Sequence, residues 1–98
     1  MKIYIAGKIT GDPIYRARFE AAEKAVKEMY KDQNPVVLNP AILPDGLTQE
    51  DYMQITNAML QSADIAVFLP NSHESAGAMI EWAWCKKVGK PHQFLFDF

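Results

Sequence analysis

Few side chains in this sequence are placed to do chemistry, and one stands apart. The run Ser75-Ala76-Gly77-Ala78-Met79-Ile80-Glu81-Trp82-Ala83-Trp84-Cys85 carries a single charge, Glu81, in the body of an otherwise apolar helix. At helical spacing Glu81 lines up with Ala78, Trp82, Cys85 and Val88, so its carboxylate emerges from the face that packs on the protein. An anion there must raise its pKa or find donors, and carboxylates perturbed in this way gather at functional sites. Glu81 at the rim of that face, paired with a basic side chain, is the competing structural reading. Ser75, Ala76 and Gly77 open the same helix; their free N–H groups and the positive end of the helix dipole suit a phosphate or carboxylate, while Ser75 also reads as a plain helix cap. Gly7-Lys8-Ile9-Thr10-Gly11-Asp12 lets backbone approach a ligand but has neither the Lys-Ser/Thr ending of a P-loop nor the third glycine of a dinucleotide fingerprint. Arg16 and Arg18 read as a solvated face, with an anion at the preceding loop as the alternative. Cys85 reads as a core thiol, and His73 and His92 are too few and too distant in sequence for a metal site.

The elements that must position these groups follow from periodicity. Ile3-Tyr4-Ile5-Ala6, Pro35 to Leu38, Asp64 to Leu69 and Gln93 to Phe98 read as strands. Asp12 with Pro13 predicts the cap of a first helix, with Tyr15, Phe19, Ala22, Val26, Met29 and Tyr30 as its buried stripe as far as about Lys31. Thr48 with Asp51 resembles a capping box, and Tyr52, Ile55, Met59 and Leu60 give a second stripe ending near Ala63. The third helix, carrying Glu81, closes with Lys86 and Lys87, then Gly89 and Pro91. Asn39 to Leu47 has two prolines and no periodicity; it is a loop with Ile42 and Leu43 as anchors or as the tip of a lid. Four strands alternating with three helices predict an α/β fold, a three-layer parallel sheet in the order 2-1-3-4, flavodoxin- or Rossmann-like. That order reverses between the first and third strands. The loops following these two should therefore face one another across a ligand crevice, with Glu81 beside it.

Ninety-eight residues with 49% hydrophobic content make one domain, residues 1–98. A net charge of −2 without a basic run argues against nucleic acid or a membrane surface as partner, so a small molecule is expected. One cysteine, no signal-peptide pattern and no bilayer-length apolar run point to the cytoplasm. The expected chemistry uses neither a metal nor a cofactor.

Lys2-Ile3-Tyr4-Ile5-Ala6-Gly7, the strand containing Asp64, and Ser75-x-Gly77-x-x-x-Glu81 followed by Gly89-Lys90-Pro91 together resemble the nucleoside 2-deoxyribosyltransferase superfamily, most of all its short bacterial and phage members. The resemblance covers nearly the whole chain. It implies cleavage or transfer at the N-glycosidic bond of 2′-deoxynucleosides or their 5′-monophosphates, with Glu81 as nucleophile and Tyr4 as its hydrogen-bonding partner. It further implies that Gly7, Lys8, Ile9, Ser75, Gly77 and Thr56 contact substrate, and that neighbouring subunits complete the pocket. Ser75 stands where many transferases carry an aspartate, as in the branch that acts on nucleotides. Thr56 stands where an acid commonly assists the leaving base; Asp45 and Glu74 are the candidates to replace that acid. Independently of the resemblance, a carboxylate against an anomeric carbon can form a glycosyl-enzyme ester, and the missing 2′-hydroxyl eases the oxocarbenium-like transition state. A noncatalytic nucleotide-binding module and a small assembly protein with a vestigial pocket are the readings from other classes. Tyr30, Trp84, Phe94, Phe96 and Phe98 predict apolar patches and hence a homo-oligomer.

Overall fold

The structure, a computed structural model, describes residues 1–95. Its strands are β1 (Lys2–Ala6), β2 (Val36–Leu38), β3 (Ile65–Phe68) and β4 (His92–Phe94), and its helices α1 (Tyr15–Met29), α2 (Gln49–Ser62) and α3 (Ala76–Val88). All three strand pairings are parallel, and the order is β2-β1-β3-β4, as the alternation of elements predicts. The first strand begins beside β2 and β3 in register, Tyr4 lying against Leu38 on one side and Ala66 on the other.

Two cores divide by strand parity. Ile3, Ile5, Val67 and Leu69 face α1, packing with Phe19, Ala22 and Val26. Tyr4, Ala6, Ala66 and Phe68 point to the opposite face, where α2 and α3 supply Leu60 and Cys85. Period-2 alternation in a strand covered on both sides thus assigns Tyr4 to the layer that holds Glu81. Asp64, just ahead of β3, ties the strand starts together: its carboxylate accepts from the Lys2 N–H at 2.8 Å, and its own N–H donates to the Lys2 carbonyl at 2.7 Å. The first of these bonds holds the Asp64 carboxyl below its usual range. No helix among the described residues is long and apolar enough to cross a membrane.

Several boundaries differ from the sequence reading. Asp12 does not cap α1; its carboxylate accepts from the Ile14 N–H at 3.1 Å and pairs with Arg18 at 2.9 Å, so the turn closes two residues early and the helix starts at Tyr15. Met29, expected in the buried stripe, is half exposed. On α2 both halves of the Thr48–Asp51 capping box form, but the buried residues are Thr56 and Leu60, and Ile55 faces outward. Val88, expected in line with Glu81, is exposed at the end of α3, whose buried residues are Ala78, Glu81 and Cys85. The fourth strand runs from His92 to Phe94, Leu95 after it is buried in the core, and residues 96–98 of its expected span, with Phe96 and Phe98, lie outside the described residues. Tyr30, Trp84 and Phe94 are not open patches, since each is partly buried and packed against a core.

Candidate active site

Tyr4 is the middle residue of β1 and Glu81 lies one turn and a half into α3, and the packing of α3 on the sheet brings them together. The Tyr4 hydroxyl donates to Glu81 Oε2 at 2.8 Å, both side chains being buried. The partner of this carboxylate is therefore a phenol and not the rim cation of the competing structural reading. Burial pushes the Glu81 carboxyl from 4.5 up to about 7, opposed by hydrogen bonds from Tyr4 and from the Thr56 hydroxyl. Tyr4 is held well above its ordinary value by burial and by the Glu81 charge, so the phenol keeps its proton and remains a donor. At neutral pH both protonation states of Glu81 are populated: the ionised one is a nucleophile, the neutral one an acid.

A cavity of about 310 Å³ opens over this pair at the point where the strand order reverses. Its walls come from Gly7, Ile9 and Thr10 after β1, from Glu74, Ser75, Ala76 and Gly77 at the start of α3, and from α2. Ser75 caps α3, its Oγ accepting from the Ala78 N–H at 3.1 Å. The N–H groups of Ala76 and Gly77 find no acceptor among the described residues, leaving two donors at the positive end of a 13-residue helix. A Cβ at Gly77 would stand 3.2 Å from Met53 Sδ, a close fit in which the Met53 side chain would have to give by a few tenths of an ångström. Gly7 is tighter still, because a Cβ would stand 2.8 Å from the Leu69 side chain.

Of the residues singled out in the sequence, Tyr4, Gly7, Ile9, Thr56, Ser75, Gly77 and Glu81 all line this cavity. Lys8 does not: its N–H donates to Asn71 Oδ1 at 3.2 Å, and its ammonium lies 4.0 Å from Glu74 at the rim. Asp45 is also removed, forming an ion pair with Arg16 at 3.0 Å on the surface, whereas Glu74 is in the wall. Arg16 itself reaches no anion at the first loop; it straps the 41–45 segment through the carbonyls of Ala41 and Leu43. Ile42, read as an anchor or lid residue, is 78% exposed. Cys85 is buried and its thiol is pushed up to about 11, chiefly by burial. Gln49, Tyr52 and Met53 were not singled out as site residues. They share one helical stripe with Thr56, at spacings of seven, four and three, and that stripe was the available signal. Gln49 Nε2 donates to Thr10 Oγ1 at 3.0 Å, joining α2 to the β1 loop across the cavity mouth.

Fold and site together define a small doubly wound α/β domain with a buried carboxylate–phenol pair under a pocket at its switch point. The chain belongs to the family described as "Domain of unknown function (DUF4406)", whose profile matches residues 1–94. No curated protein and no solved structure matches it.

Proposed function

We propose that the protein cleaves, or transfers the sugar across, the N-glycosidic bond of 2′-deoxynucleoside 5′-monophosphates in the cytoplasmic nucleotide pool. The observation that carries this reading is the Tyr4–Glu81 hydrogen bond at the floor of a cavity whose wall includes the start of a helix with two uncommitted N–H groups. A phosphate held by Ser75, Ala76 and Gly77 leaves the sugar over Glu81. The ionised Glu81 attacks C1′; the N-glycosidic bond breaks, its electron pair goes to the base nitrogen, and a proton from Glu74 or water completes the free base. Water then attacks C1′, releasing 2-deoxyribose 5-phosphate and Glu81, or a second base does so and forms a new nucleotide. Tyr4 orients the carboxylate throughout. The reading agrees with the resemblance to the nucleoside 2-deoxyribosyltransferase superfamily set out above.

The second reading, a noncatalytic nucleotide-binding module, is favoured by one observation: Thr56, buried beside Glu81, stands where an acid would be useful and cannot protonate a leaving base. Mass spectrometry of the protein incubated with a panel of deoxynucleotides separates the two. Free base together with a deoxyribosyl phosphate adduct on the Glu81 peptide is the expected result. Glu81→Gln should abolish both, lowering turnover by orders of magnitude while leaving nucleotide binding in place. Saturable binding without base release would favour the module, and unchanged turnover in a folded Glu81→Gln protein would end the catalytic reading.

A further inference from the structure

A second depression of about 350 Å³ lies between α2 and α3, bordered by Ile80, Trp84 and Asn57 among others. Two residues belong to the walls of both this groove and the switch-point cavity, namely Met53 and Glu81. Met53 thus borders both the pocket and the groove. Its sulfur also sits against the first turn of α3, 3.2 Å from where a Cβ on Gly77 would stand, in the turn whose Ala76 and Gly77 N–H groups lack protein acceptors. A thioether is a poor acceptor and leaves those donors free for a ligand. A sulfoxide oxygen is a strong, fixed acceptor and is polar where the pocket wall was apolar.

We propose that Met53 is an oxidation-sensitive gate of the pocket: a peroxide converts its thioether to the sulfoxide, whose oxygen takes the α3 N–H donors and displaces anionic ligands. In that step the O–O bond of the peroxide breaks, one oxygen passes to sulfur, and the peroxide leaves as water or an alcohol; sulfur is oxidised by two electrons and the peroxide reduced by two. Reversal requires a thiol reductant acting through a sulfoxide reductase, two thiols becoming a disulfide with loss of water. Because Met53 also borders the groove, a peroxide can approach the sulfur from that side while the pocket is filled. The inference rests on the proposed anion-binding role of the α3 start, and it deepens that reading by assigning its regulation.

The test compares the full-length protein before and after hydrogen peroxide, with peptide mapping to quantify sulfoxide at each methionine and calorimetric titration of inorganic phosphate and deoxynucleotides. Met29 is half exposed and will oxidise as well, so Met53→Leu, which keeps a side chain of similar size and cannot oxidise, isolates the effect. Oxidation should weaken phosphate and nucleotide binding at least about tenfold in the natural protein, with reductase treatment restoring it. The ratio of treated to untreated affinity in Met53→Leu should stay near one, and Met53→Gln should bind weakly without any peroxide. Unchanged affinity in protein shown by mapping to carry the Met53 sulfoxide would overturn the gate, as would reduced protein that binds neither phosphate nor nucleotide. Binding that responds to oxidation, in a protein that never releases base, would remove the proposed reaction and leave the gate standing.

Discussion

At the scale of single residues, the proposed chemistry turns on the proton that Tyr4 donates to Glu81. Glu81 costs stability where it sits, and among the described residues the Tyr4 and Thr56 hydroxyls offset its lost hydration. Removing the phenol oxygen with Tyr4→Phe should raise the Glu81 pKa above its value of about 7, because the Tyr4 hydrogen bond lowers it. The expected outcome is a pH–rate profile whose acid limb moves to higher pH and a turnover at neutral pH lower by about ten- to a hundredfold, the scale of one hydrogen bond to a charged group. An unmoved limb in the folded variant would show that Tyr4 does not tune Glu81. Glu81 was legible because a lone charge in an apolar helix is visible at period 3.6, whereas Tyr4 as its partner followed only from the family resemblance, since no periodicity links a strand residue to a helix 77 positions away. Lys8 and Asp45 were not legible. Both sit on loops, where no period fixes the direction of a side chain, and each found an ion-pair partner that depends on tertiary placement.

At the scale of elements, the serine that caps α3 is also the one to which the proposed function assigns the phosphate. Ser75 Oγ satisfies the Ala78 N–H, so Ser75→Ala should cost about 1 kcal/mol of stability, seen as a lower urea midpoint at unchanged slope. If the same turn holds the phosphate, a deoxynucleoside 5′-monophosphate should bind more tightly than its nucleoside. Ser75→Ala should then narrow that difference by about 1 kcal/mol in calorimetry. Equal affinities of the unaltered protein for nucleotide and nucleoside would count against a phosphate site there. The signals that placed α2 and α3 were local, a capping box and a Ser cap with a terminal glycine, and they survive intact because neither requires a distant partner. The start of α1 was misplaced for the converse reason. Asp12 had two competing uses, and its pairing with Arg18 together with the bond from the Ile14 N–H closes a turn ahead of the helix instead of capping it. Asp64, read as part of a strand, is a clamp at the end of the sheet away from the pocket, which period-2 patterning does not reveal.

For the whole molecule, alternation of elements determined the strand order, but not which apolar side chains would remain outside. Among the described residues these include Ile42, Ile80, Ile14, Val36, Val88, Met29 and Ile55, whereas Tyr30, Trp84 and Phe94 pack against the cores. With Ile80 60% exposed on the groove between α2 and α3, self-association is still expected, now through this face. Sedimentation at micromolar concentration showing only an 11.1 kDa species would remove the idea. The last expectation concerns stability against pH, where two kinds of carboxylate oppose each other. Glu23, Asp51 and Asp64 have folded-state pKa values below their ordinary ones, through bonds from Lys27, from Thr48 and from the Lys2 N–H, so the stability they add is lost as pH falls through those lowered values. Glu81 acts in the opposite sense. Its folded-state value of about 7 lies above the ordinary 4.5, so the folded protein holds a proton that the unfolded chain releases. Stability therefore declines as pH rises from 4.5 through 7, by about 3 kcal/mol once the carboxyl is fully ionised. The melting temperature should be highest near about pH 5 and fall on both sides. Glu81→Gln should abolish the fall between pH 5 and 8 and leave the acid side unchanged, making the variant the more stable protein at pH 8. A natural protein whose melting temperature is flat from pH 5 to 8 would mean that Glu81 is hydrated in solution, and with it the argument for a tuned, desolvated nucleophile would fail.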